Sequence, residues 1–113
     1  MKIIIAGGRD FDDYERLESV MFDFEYPEIE IVSGGARGAD KLGETFASRN
    51  GIKLTLFPAN WGRYGNSAGF LRNETMAKYG DILIAFWNGH SPGTKHMIDL
   101  ALKHGLEVHV YRY

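Results

Sequence analysis

The sequence predicts an α/β three-layer sandwich built on a five-stranded parallel sheet of order 3-2-1-4-5, and three observations carry that prediction. Short apolar runs alternate with amphipathic segments along the whole chain. Two of the runs, Lys2 to Ala6 and Asp81 to Trp87, are almost continuously apolar, as strands covered on both faces are. The connections are short, which favours right-handed crossovers between parallel neighbours. This Rossmann-like order puts a topological switch between the first and fourth strands, and open α/β sheets bind ligands in that crevice.

Each element has its own signal. Lys2 to Ala6 reads as the first strand. Tyr14, Leu17, Met21 and Phe24 recur at helical spacing and predict the first helix, with Asp10, Asp12 and Asp13 placed to cap it. Ile29 to Val32 is the second strand, and Ala39, Leu42, Phe46 and Ala47 mark the second helix. Lys53 to Phe57 is the third strand. The segment Phe57 to Gly65 reads as a loop by its proline and glycines, although it carries Trp61 and Tyr64. Leu71, Thr75, Met76 and Tyr79 predict the next helix, and Asp81 to Trp87 the fourth strand. Met97, Ile98, Ala101 and Leu102 predict the last helix, ended by Gly105 at a C-cap position. Glu107 to Tyr111 closes the sheet. A single domain spans residues 1–113, and no linker, repeat or low-complexity stretch divides it.

Composition narrows the function classes. At 44% apolar the chain can bury a core, so disorder is a poor reading. Its 13 basic and 15 acidic residues give a formal charge of −2, which argues against nucleic acid as a partner. The absence of cysteine excludes disulfides, thiol nucleophiles and cysteine metal sites. His90, His96, His104 and His109 show no metal-ligand spacing, so no metal is expected. Ser33 has no histidine and aspartate partners at the spacing of a hydrolase triad. The apolar run at the amino terminus is too short for a signal peptide, and no stretch approaches a membrane span, so a cytoplasmic protein with no membrane partner is the expectation.

Three glycine-rich turns follow strand ends. They are Gly7-Gly8-Arg9, Ser33-Gly34-Gly35-Ala36-Arg37-Gly38 and Gly89-His90-Ser91-Pro92-Gly93-Thr94. Glycine lets backbone amides approach a ligand, and a turn that runs into a helix makes an anion site. The expected site is a phosphate cradled by the amides of Gly34 to Gly38, with the Ser33 hydroxyl and Thr94 close by. Neither the G-x-G-x-x-G fingerprint nor a P-loop is present, so no cofactor is predicted and an ATPase or GTPase is disfavoured. Arg72 falls among helix positions that pack inward. It calls for a ligand phosphate, unless Asp40, Glu74 or another carboxylate pairs with it. Trp61 and Tyr64 suit stacking on a base, a subunit contact or core cover.

Five blocks taken in order carry a resemblance. They are Gly7-Gly8-Arg9-Asp10-Phe11, Ser33-Gly34-Gly35-Ala36-Arg37-Gly38-Ala39-Asp40, Phe57-Pro58-Ala59-Asn60-Trp61, Ala68-Gly69-x-x-Arg72-Asn73-x-x-Met76 and Gly93-Thr94-x-x-Met97-Ile98. Together, from Gly7 to Gly105, they resemble the SLOG superfamily, and within it the small single-domain YspA-like members of bacteria and their phages. The resemblance implies a Rossmann-like fold, a nucleotide-related ligand, and assembly into dimers or more. It brings Asp40 and Asn73 into the candidate ligand-binding set beside Gly7, Gly8, Arg9, Ser33, Gly34, Gly35, Arg37, Gly38, Trp61, Arg72, Gly93 and Thr94. The enzymatic branch resembled here, the cytokinin-activating phosphoribohydrolases, carries P-G-G-x-G-T-x-x-E. Arg72, Gly93 and Thr94 match that branch, but Met97 stands in place of its glutamate, and a thioether takes no proton.

The expectation is therefore a module that binds or senses a nucleotide-derived small molecule bearing a phosphate. An N-glycosidase is the alternative and would need another acid, Asp10 or Asp40. Single-stranded DNA binding is a third reading, which the slight negative charge disfavours. Trp61, Tyr64 and Phe70 exceed what a small monomer buries, which predicts a homodimer or larger assembly.

Overall fold

In the computed structural model, which describes all 113 residues, the strands Lys2–Gly7 (β1), Glu30–Ser33 (β2), Lys53–Leu56 (β3), Ile82–Trp87 (β4) and Glu107–Arg112 (β5) form one parallel sheet. Its order is β3-β2-β1-β4-β5, the order expected from the sequence. The helices are Tyr14–Phe22 (α1), Ala39–Arg49 (α2), Trp61–Tyr64 (α3), Ala68–Tyr79 (α4) and Pro92–Lys103 (α5). None is long and apolar enough to cross a membrane.

Strand alternation divides the core into two layers. Ile3 and Ile5 of β1, with Ile82, Ile84 and Phe86 of β4, face Leu17 and Met21 of α1 and Phe46 of α2. Ile4, Ala6, Leu83 and Ala85 point the other way, onto Met76 and Ala77 of α4 and Met97, Ile98 and Ala101 of α5. Both faces of β1 and β4 are thus dry, which is why their sequences are apolar without alternation. Phe11, in the loop after β1, stacks on Phe86 at 4.3 Å between ring centroids and closes the first layer beneath the site.

The structure corrects the sequence reading in three places. Periodicity located α4 and α5 but misjudged which positions face the sheet. Leu71 and Thr75 are exposed, and the inward face of α4 is Ala68, Asn73, Met76 and Ala77. In α5, Leu102 is exposed and Thr94 is buried. The end of α4 packs close to the sheet: a side-chain carbon on its C-cap, Gly80, would lie 2.6 Å from Ile4 Cδ1. The second correction concerns the segment read as a loop. Asn60 accepts a hydrogen bond from the Arg63 amide at 3.1 Å and so caps one helical turn, Trp61–Tyr64. A 3-10 turn, Gly65–Ser67, then leads into α4. Third, Phe24 lies beyond the end of α1 yet still packs on the core.

One contact ties the loops after β1 and β2 together. Gly38 has φ +78°, and a Cβ there would sit 2.2 Å from the Gly8 carbonyl oxygen. The Ala39 amide donates to that same oxygen at 3.2 Å. Gly35, at φ +77°, has open space around it. Gly38→Ala should therefore cost more than the roughly 1–3 kcal/mol of backbone strain expected of Gly35→Ala, because backbone must also move. Thermal unfolding of both variants checks this; equal losses would refute the packing argument.

Candidate functional site

The carboxyl ends of β1 and β4 diverge where their crossovers leave on opposite faces, and a crevice of about 210 Å³ opens between them. Ala6, Met76 and Met97 form its apolar floor, Trp61 and Phe70 its aromatic wall, and Asp40, Asn73 and Thr94 supply polar groups. Beside it, toward β2, lies a wider basin of about 470 Å³ lined by Gly34, Gly35, Arg37, Lys41, Leu56 and Pro58. Arg9, Ala36, Trp61 and Arg72 line both.

Arg72 stands on this shared wall, one helical turn from Ala68 and Met76. Its Nε donates to Asn73 Oδ1 at 3.1 Å, and its Nη1 donates to the Gly34 carbonyl. A guanidinium has five N–H donors, so three are left uncommitted. It forms no ion pair: Glu74 is taken by Lys78, and Asp40 lies beyond ion-pair distance. Partial burial lowers its basicity, offset by the Asp40 charge and reinforced by Arg9, and an arginine remains a cation under that shift. Glycine at position 34 is what admits the contact, since a Cβ there would lie 2.6 Å from Arg72 Nη1.

Asp40 begins α2 and is buried. Its Oδ2 accepts from the Ala36 amide at 3.2 Å. Burial pushes its carboxyl from the ordinary 3.8 up to about 6; the Ala36 amide and the Arg72 charge pull it back, and Glu44 raises it further. At the other rim, Ser91 caps α5: its Oγ accepts from the Thr94 amide at 3.4 Å and lies 3.1 Å from Thr94 Oγ1. Asn73 joins the two sides, with Nδ2 donating to the Gly93 carbonyl at 3.5 Å while Oδ1 holds Arg72.

The residues anticipated from sequence fall into three groups. Gly7, Arg9, Asp40, Trp61, Arg72, Asn73, Gly93 and Thr94 converge on the crevice. Gly34, Gly35 and Arg37 line the basin. Gly8, Ser33 and Gly38 face inward. The Ser33 hydroxyl is fully buried, donates to Glu44 Oε2 at 2.8 Å and accepts from the Gly35 amide at 3.1 Å, so it builds the turn instead of facing a ligand. The amides of Gly35 and Ala36 are likewise engaged within the chain. Asp10 turns away from the crevice and accepts from the Tyr113 hydroxyl at 2.6 Å. Sequence reasoning missed Lys41, Asn66 and Ser91. Ser91 was legible as a cap before Pro92; Asn66 carried no signal.

The family model for the YspA, cpYpsA-related SLOG family matches residues 1–64, which include both glycine turns after β1 and β2. The Gene 61 protein of Mycobacterium phage D29 is 34% identical over 116 residues, an alignment covering 95% of this chain and 93% of that protein. No solved structure matches significantly.

The raised carboxyl of Asp40 makes a pH prediction. The native state takes up a proton between about pH 6 and the ordinary 3.8 that the unfolded chain does not. Stability is therefore gained as pH falls through that window, and the cost of the charge is complete above it. Asp40→Asn should stabilise by on the order of 2 kcal/mol at pH 8, with the difference vanishing near pH 4. Urea midpoints at the two pH values measure this, and a pH-independent difference would contradict it.

Proposed function

The chain belongs to the YspA, cpYpsA-related SLOG family, a membership that points to a nucleotide-related function, and we propose that it binds or senses a phosphate-bearing nucleotide or nucleotide derivative. The observation that carries this reading is Arg72: a partly buried cation, aimed by Gly34 and Asn73, with no carboxylate partner and donors to spare. A phosphate satisfies a guanidinium of that kind with charge-assisted hydrogen bonds. The neighbouring floor of Ala6, Met76 and Met97 under Trp61 and Phe70 suits a flat base, while Asp40 and Thr94 offer hydrogen bonds to a sugar.

A second reading has one observation in its favour. Asp40 is a carboxyl in the crevice that stays protonated to about pH 6, which suits a general acid in N-glycosidic cleavage. Asp10, bonded to Tyr113, does not compete for that role.

Calorimetric titration with the four common ribonucleoside 5′-monophosphates tests the first reading. Wild type should bind at least one of them, and Arg72→Ala should weaken that binding by about 10- to 100-fold, the worth of a charge-assisted hydrogen bond. Chromatography of the same mixtures should show no free base. Release of base that disappears in Asp40→Asn would replace the binding reading with the enzymatic one.

A further inference from the structure

A single phosphate on Arg72 leaves the basin unused. The basin and the crevice are two rooms with one wall, and Arg72 is in it, bonded to Asn73 on one side and to the Gly34 carbonyl on the other. An anion held by Arg72 therefore abuts both. Beyond it the basin gathers Arg9, Arg37 and Lys41, on a chain whose formal charge is −2. Arg9 and Arg37 form no ion pair, and Lys41 has only an exposed contact of 3.4 Å with Glu44. Its floor, Leu56 and Pro58, brings no carboxylate. The amide of Arg37, on the basin's lining, donates to nothing within the chain. Cations gathered this way repel one another until a multiply charged anion neutralises them.

We propose, resting on the nucleotide reading above, that the ligand carries a diphosphate: its nucleoside lies in the crevice, its first phosphate on Arg72, and its second in the basin on Arg37 and Lys41. A nucleoside diphosphate, or a larger molecule joined through one, has this chemistry. The basin is the larger room and is open enough to hold a further group beyond the second phosphate.

The test compares ribonucleoside 5′-diphosphates with the corresponding monophosphates by calorimetry at one ionic strength. The proteins are wild type, Arg37→Ala/Lys41→Ala, and Lys53→Ala/Lys103→Ala. Arg37 and Lys41 are exposed, so the first variant should unfold at the wild-type temperature. The second makes the same charge change at the opposite edge of the sheet, where β3 begins and α5 ends. Wild type should prefer the diphosphate by about tenfold or more. Arg37→Ala/Lys41→Ala should bring that ratio to within about threefold, and Lys53→Ala/Lys103→Ala should leave it as in wild type. Monophosphate binding with no diphosphate preference in wild type would overturn this inference and leave the nucleotide reading standing. A preference that survives in Arg37→Ala/Lys41→Ala would also overturn it, by taking the second phosphate out of the basin. Failure of both series to bind would overturn the nucleotide reading itself.

Discussion

A guanidinium taken partly out of water keeps its charge only where hydrogen-bond acceptors replace the solvent it has lost. At the open edge of this sheet that requirement falls on Arg72, and much of the surrounding geometry answers it. The Gly34 carbonyl can serve because residue 34 has no side chain. Asn73 can serve because it is itself anchored to the Gly93 carbonyl across the crevice. One arginine thus links the turn after β2, helix α4 and the turn before α5. These are the segments that a parallel sheet leaves unconnected where its strands diverge.

Asp40 is the counterweight. It is the carboxylate of the crevice, and the same burial that makes Arg72 need partners makes Asp40 reluctant to ionise. The two are close enough to feel each other and too far apart to pair. A closed ion pair would have consumed the cation; an open one leaves it directed at whatever enters. Holding the charges apart costs stability, and the two dry core layers on the faces of the sheet supply it.

The fold was legible because its strongest signals are one-dimensional. Continuous apolar runs at β1 and β4, amphipathic segments between strands and short connections leave few topologies open. What could not be read was phase and partnership. The exposed Leu71 and the buried Asn73 on α4 invert the usual hydrophobic order, because Asn73 works within the site and Leu71 lies outside it. The turn at Trp61 was hidden by Pro58 and Gly62, and only the Asn60 cap discloses it. In the site, arginine, glycine and threonine positions were visible as types out of place, and most of them do converge. Ser33 was not distinguishable from a ligand-facing hydroxyl, since its partner Glu44 lies a full helical turn beyond Asp40 and nothing in the spacing announces the bond.

The carboxyl-terminal end of β5 bears on the same loop from the opposite side. Tyr113 packs its ring on Phe11 at 5.0 Å between centroids, and its hydroxyl occupies the place where a side chain on Gly8 would begin, 1.7 Å from that position. An alanine at position 8 would force the Tyr113 hydroxyl, and with it the bond to Asp10, to shift. The first glycine turn and the residue that follows the final strand are therefore coupled. Without the tyrosine hydroxyl, the nearest obstacle to a side chain at position 8 would be gone. Drift at one end of the sequence thus sets the variation permitted near the other.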